Sequence, residues 1–246
     1  MIKAIIFLTR IALATFFALL LTSCNHSIIL GDGIKGNGNI TTEERSITED
    51  FKGIDVSYGI NVVVEQSEKS SVSVEADDNL QQLIVTKVVN GILKIEASKS
   101  YNSTETPKVI VKMPIINSLE TGSGATISST NALVSDNMNV KSSSGSDIDI
   151  AVEADAITLE TSSGSKIKAR GKALKAETSS SSGSDIDAGA LMANEVISNS
   201  SSGSHTSVYP IVSLNAKASS GGSINYLKNP KTMNKEESSG GSVSEE

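Results

Sequence analysis

The chain has 246 residues, a net charge of −7, one cysteine, no tryptophan and only 3% aromatic residues. That length holds one or two domains, a single cysteine excludes an internal disulfide, and an acidic body disfavours a nucleic-acid partner because it repels phosphate backbones. With so few aromatics, the core must be built from Ile, Val, Leu and Ala, small or branched fillers that suit stacked strands.

Residues 1–23 read as a leader. Lys3 and Arg10 flank an otherwise apolar opening, and 11–21 form an apolar run with the length of a signal-peptide core rather than a full membrane span. The run ends in Leu21-Thr22-Ser23-Cys24, which resembles the lipobox of bacterial lipoproteins. That resemblance implies cleavage before Cys24 and attachment of lipid to it. Acyl chains contribute roughly 0.8 kcal/mol per buried methylene, so the expected product is anchored to a membrane without spanning it. Asn25, His26 and Ser27 follow, with no aspartate in the second position and no acidic cluster. The expected address is the outer membrane, periplasmic face first and surface display second.

Residues 24–48 are expected to form a lipidated flexible tether. From Gly31 to Asn39 the chain reads Gly-Asp-Gly-Ile-Lys-Gly-Asn-Gly-Asn, which is too glycine-rich for a strand. A phosphate-cradling loop is set aside, because no strand precedes these glycines and no Gly-Lys-Ser/Thr follows.

Strands are then predicted at 54–57, 60–66, 72–76, 85–89, 92–95 and 109–113, the last stopping at Pro114. Asn90-Gly91 between 85–89 and 92–95 favours a tight hairpin turn. No segment after the leader keeps a 3.6-residue period over three turns, which predicts essentially no helix.

Within this stretch Phe51-Lys52-Gly53-Ile54-Asp55-Val56 precedes Tyr58-Gly59-Ile60-Asn61-Val62-Val63-Val64. Together with the lipobox, the Asn-Gly turn and the Ser-Gly-Ser turns described next, this segment resembles the head GIN domain family of auto-transporter adhesins, the triplet being Gly59-Ile60-Asn61. The resemblance runs from about Phe51 to the last repeat. It implies a right-handed parallel β-helix on the envelope of Bacteroidetes-like bacteria and brings no catalytic motif.

From about residue 119 the chain repeats. Glycines 124, 145, 164, 183, 203, 221 and 240 are spaced by 21, 19, 19, 20, 18 and 19 residues, and each is preceded by serine. Three residues after each glycine come Ile127, Ile148, Ile167, Ile186, Thr206, Ile224 and Val243. A period near 19 signals a solenoid, and it suffices for three short strands of ~3.3 Å rise per residue plus tight turns, one coil stacking ~4.8 Å above the last. The fold class is therefore all-β, a single-stranded right-handed parallel β-helix of about 19-residue coils after an N-terminal lipoprotein signal, with the domain at 49–246. The handedness comes from the resemblance and from the crossover bias of parallel strands. Leucine-rich repeats need several leucines at fixed offsets and the calcium-binding nonapeptide roll needs a nine-residue period; neither is present. Disorder is excluded because the aliphatic column stays in phase with the turns. Thr206 breaks the column, and Val208 nearby suggests a local slip. The turn serines are read as a structural column along one outer corner.

Two and four residues past each glycine lie outward positions. They predict two ion ladders, Asp147-Lys166-Asp185 and Asp149-Lys168-Asp187, which penalise a one-coil slip and contribute about 0 to 1 kcal/mol per exposed pair. Calcium at these aspartates is opposed by the lysines. Polysaccharide-cleaving β-helices hang long loops around a groove, whereas these turns are short and only Arg45 and Arg170 remain after the leader. His205 sits in a repeat turn as a solvated residue, and no Gly-x-Ser-x-Gly occurs. The function expected is a non-catalytic binding or adhesion scaffold for glycan or protein, with no cofactor, no metal and no catalytic residue, and with the membrane as a partner through Cys24. The alternatives are a structural or signalling accessory of the envelope and, behind it, a polysaccharide-cleaving enzyme. Glu245 and Glu246 are expected to guard the strand edges of the last coil.

Overall fold

The computed structural model describes residues 33–246; the leader, Cys24 and His26 lie outside the described residues. In chain order the strands are β1 (Ile34–Lys35), β2 (Ile40–Arg45), β3 (Gly53–Val56), β4 (Asn61–Gln66) and β5 (Ser71–Asp77), then a 3-10 turn (Asp78–Leu83). Next come β6 (Ile84–Val89), β7 (Ile92–Ala97), β8 (Tyr101–Asn102), β9 (Lys108–Met113) and β10 (Ser118–Thr121). The repeats supply β11 (Thr126–Ser142), β12 (Asp147–Thr161), β13 (Lys166–Ser180), β14 (Asp185–Ser200) and β15 (His205–Ala218). β16 (Ser223–Tyr226), β17 (Thr232–Glu237) and β18 (Ser242–Glu245) complete the chain. Among the described residues, the 3-10 turn is the one departure from the all-β expectation.

Successive repeats pair in parallel, β11 to β12, β12 to β13, β13 to β14 and β14 to β15. Each of these strands is 14 to 17 residues long. Sequence reasoning expected three separate strands per coil. Instead each ladder runs on around a bend, because the neighbouring coil offers parallel backbone partners on both sides of it.

The aliphatic column is longer than the repeats. Val109, Val62, Ile127, Ile148, Ile167, Ile186, Thr206, Ile224 and Val243 are consecutive partners, and none exceeds 6% exposure. Alternation along each strand puts every second side chain into the bore, and each buried aliphatic contributes roughly 1.5–3 kcal/mol. The predicted slip at Thr206 does not occur. Thr206 keeps register between Ile186 and Ile224, and its hydroxyl lies 2.7 Å from that of Ser180. A threonine replaces isoleucine here because a polar partner waits inside.

Eight turns stack along one corner. Tyr58, Ser123, Ser144, Ser163, Ser182, Ser202, Ser220 and Ser239 all have φ between +49° and +63°, and each precedes a glycine at positive φ. Two such residues in succession make a type I′ turn. Each glycine N–H then donates to the carbonyl of the next coil's turn, as Gly145 does to Ser163 at 3.1 Å. An L-residue in this region carries roughly 1–2 kcal/mol of strain, so the stacked bonds must hold it there.

The serine corner faces both ways, which corrects the expectation of one outer column. Ser144 and its equivalents before the glycine are exposed, whereas Ser146, Ser165, Ser184 and Ser204 after it are buried. Ser146 accepts from the Ser143 N–H at 3.2 Å and donates to the Ser143 carbonyl at 2.6 Å, and Ser184 and Ser204 repeat both bonds. A short hydroxyl there adds a second bond to turn groups already paired through the backbone, as Ser181 N is with the Thr161 carbonyl at 3.1 Å and the Ser181 carbonyl with Ser184 N at 3.3 Å.

The described part of the expected tether is part of the fold. β1 pairs with β8 and β2 lies antiparallel on β5. Between them, Gly36 to Asn39 dock on Asp77, Asp78 and Asn79. Asp77 is fully buried and accepts from Gly38 N at 2.7 Å, Thr104 N at 3.1 Å and the Thr104 hydroxyl at 2.9 Å. Asp78 accepts from the side chains of Asn37 and Asn39. A Cβ on Gly36 would lie 2.3 Å from the Asp77 carboxylate, so glycine here makes room for a neighbour and does not mark flexibility.

Burial alone raises the Asp77 carboxyl, and the bonds from Gly38 and Thr104 together overcome it, so its pKa lies below the ordinary 3.8. A folded-state pKa below the unfolded one adds stability that is complete above the unfolded value and is lost as pH falls through the folded one. An NMR titration following the Gly38 amide should therefore give a midpoint below 3.8, with β2 losing exchange protection as pH falls from the unfolded value through that midpoint. A midpoint above that value would mean that the anion is not what holds Gly38.

Candidate binding surface

The predicted ladders form in register and only partly in contact. Asp147, Lys166 and Asp185 are partners, as are Asp149, Lys168 and Asp187. Lys166 reaches Asp185 at 3.7 Å, while Asp149 pairs diagonally with Arg170 instead of Lys168. Of the four aspartates, Asp149 and Asp185 are thus engaged by cations. Among the described residues no group of three His, Cys, Asp or Glu stands close enough to hold one. His205 is half-buried, with Nδ1 2.9 Å from the Ser223 hydroxyl.

A third charged column escaped sequence reasoning. Lys94, Asp55, Glu120, Lys141 and Glu160 follow one another across β7, β3, β10, β11 and β12. Lys94 contacts Asp55 at 2.7 Å and Lys141 contacts Glu160 at 3.0 Å, and the hydrogen bond and charge of each acid raise the pKa of its lysine. The column could not be read in advance because its first two members precede the regular repeat.

The other long corner differs in chemistry. All length variation is absorbed at or just past it: the register shifts between Ser128 and Ala132, between Lys168 and Arg170, and twice between Ala188 and Glu195. Uneven repeat lengths thus leave the turn corner undisturbed. Gly171 lies here at φ +122°, and a Cβ on it would meet the Val152 carbonyl oxygen at 2.1 Å.

At this corner Val134, Leu174 and Met192 are 58%, 56% and 48% exposed. They rim a groove of about 480 Å³ floored by Ala154 and Ala173, with Ile211 at one end. Asp136 and Asp155 stand among them, and Glu153 is paired with Lys172 at 2.8 Å. Large aliphatics grouped on a surface mark contact sites, and small alanines beneath let a ligand approach the backbone. No aliphatic column pointed here: Val134 and Leu174 both stand ten residues after their glycines, but Asp155 holds that position in the coil between them and Met192 stands at nine.

Parallel coils about 19 residues apart, a continuous aliphatic bore and stacked turns define a β-solenoid. The chain belongs to the family described as putative auto-transporter adhesin, head GIN domain, whose model matches residues 50–230. No curated protein matches the chain. Among solved structures, a putative adhesin from Bacteroides fragilis shares 22% identity at a TM-score of 0.80, covering 87% of this chain and 100% of that one. A putative adhesin from Parabacteroides merdae shares 18% at 0.68, covering 87% and 99%. A putative lipid binding protein from Parabacteroides distasonis shares 22% at 0.70, covering 87% and 100%. At these identities the likeness establishes the fold.

Proposed function

We propose that this protein is a lipid-anchored, non-catalytic binding or adhesion scaffold of the cell envelope, whose long corner presents the Val134–Leu174–Met192 groove to a protein or glycan ligand. The observation that carries this reading is that Val134, Leu174 and Met192, the three most exposed large aliphatics among the described residues, meet in one groove. The adhesin description of the family supports the class of function, and the lipobox supports attachment through Cys24. The outer membrane is the proposed address, periplasmic face first and surface display second; protease treatment of intact cells separates the two faces.

The groove is tested by immobilising the intact chain and measuring retention from envelope extracts. The double variant Leu174→Glu/Met192→Glu should bind at least about tenfold more weakly, since removing two central apolar contacts exceeds the 1.4 kcal/mol that a tenfold change requires. Both side chains are exposed, so the fold should persist. Equal retention by the variant would remove the groove from the proposal.

A further inference from the structure

The first of the eight stacked turns breaks the serine rule. Where seven coils place serine before the glycine, this one places Tyr58, at φ +63°. The turn is otherwise equivalent, with the Gly59 N–H donating to the Ser123 carbonyl at 3.0 Å. A bulky ring in the left-handed region is rare, and such outliers gather at functional sites. The ring is not there to fill the core, because Tyr58 is 54% exposed.

A second tyrosine secures it. Tyr101 packs against the core and donates its phenolic O–H to the Tyr58 carbonyl at 2.7 Å. Burial pushes the Tyr101 phenol above its ordinary pKa, so it remains a donor throughout the neutral range. Around the two rings opens a hollow of about 460 Å³ lined also by Ser103, Thr106, Pro107 and Ser123. Two of the four tyrosines of the chain thus meet at one concave spot edged with hydroxyls.

We propose that the Tyr58–Tyr101 hollow is a saccharide subsite, in which the face of one pyranose ring lies on Tyr58 and its hydroxyls meet Ser103, Thr106 and Ser123. An aromatic face is electron-rich and attracts the weakly positive C–H groups of a sugar face, while neutral hydroxyls exchange hydrogen bonds with sugar hydroxyls without a charge to desolvate. Absence of a charged side chain from the lining selects a neutral sugar face over a phosphate or a carboxylate. This deepens the proposed binding role and rests on it, yet it uses residues separate from the groove.

The test follows the tyrosine ring signals by NMR in the full described chain, titrated with chitotetraose, mannotetraose, maltotetraose and a β-galactotetraose. Each is taken to about 10 mM, above the dissociation constant on the order of 1 mM that one stacked ring supports. A shift of the Tyr58 ring with at least one of them is the expected result, and chitotetraose against the hexose oligomers separates N-acetylated glycans from unsubstituted ones. Tyr58→Ser should weaken that binding at least tenfold while the melting temperature holds or rises, because seven sibling turns already carry serine in this conformation. Tyr58→Phe should retain it. No ring shift with any of the four sugars, or equal binding by Tyr58→Ser, overturns the proposal. The groove variant Leu174→Glu/Met192→Glu should leave the tyrosine shifts unchanged, so either site can fail without the other.

Discussion

Ile167→Ala should destabilise the solenoid by about 2–5 kcal/mol, the range for truncating a fully buried aliphatic. Ile167 is 0% exposed and stands in register between Ile148 and Ile186. The coils on either side are locked to it by continuous parallel ladders, so the walls have little freedom to close over the void. Because a solenoid is stabilised largely through nearest-neighbour contacts, the loss should concentrate in β12, β13 and β14. Amide exchange resolved by residue, alongside urea denaturation, would show it. A loss below about 1 kcal/mol, or one spread evenly over the chain, would mean that the bore is not packed as a column.

Lys235→Val/Glu237→Val should drive end-to-end association. β17 pairs only with β15 and β18 only with β16, leaving strand edges that could template another chain. Lys235 continues an inward column that begins Leu93, Ile54, Leu119, Val140 and Leu159, and Glu237 continues one that includes Thr161, Ser180, Ser200 and Ala218. Charges at inward positions make the last layer unfit to be covered by another bore. They also close it: Lys235 Nζ donates to the Tyr226 hydroxyl at 2.9 Å and the Val243 carbonyl at 3.2 Å, and Glu237 accepts from Val243 N at 2.6 Å. Light scattering should show a larger mass for the double variant than for the unaltered chain. An unchanged mass would show that these charges do not guard the edge.

The sequence had placed that role on Glu245 and Glu246. Glu245 accepts from the Asn229 side chain at 2.6 Å, and the structure adds to these two acids the charges of β17, whose inward face is visible only once its register with β15 is known. The 33–39 part of the glycine-rich stretch departs from the tether reading for a similar reason. Glycine content is a local property, but Gly36 and Gly38 are shaped by Asp77, about forty residues away in the chain. By contrast, the Asn90-Gly91 hairpin was legible, and both residues take the positive φ that the dipeptide suggested. It was legible because a two-residue turn is decided by its own backbone preferences.

The candidate site divides along the same line. The ion ladders could be listed from constant offsets to the glycines, and their register is as read. Which charges touch was not readable, since Arg170 crosses to Asp149 past its own bulged corner. Tyr58 could be seen only as part of a family-like segment, until stacking on Ser123 made it the eighth member of a serine column.

By itself, the sequence determined that the domain is a stack of coils near 19 residues long, with Ile127, Ile148, Ile167 and Ile186 enclosed and a tight glycine turn in each coil. Periodicity suffices for that, because identical offsets from a turn must recur at identical places when parallel strands pair. Only the tertiary structure decided how the non-repeating residues 34–118 close the stack, which serines face inward, where the apolar groove opens and why Tyr58 lies beside Tyr101. Those features arise from neighbours far apart in the chain, and no local pattern records which distant strand a given strand will meet.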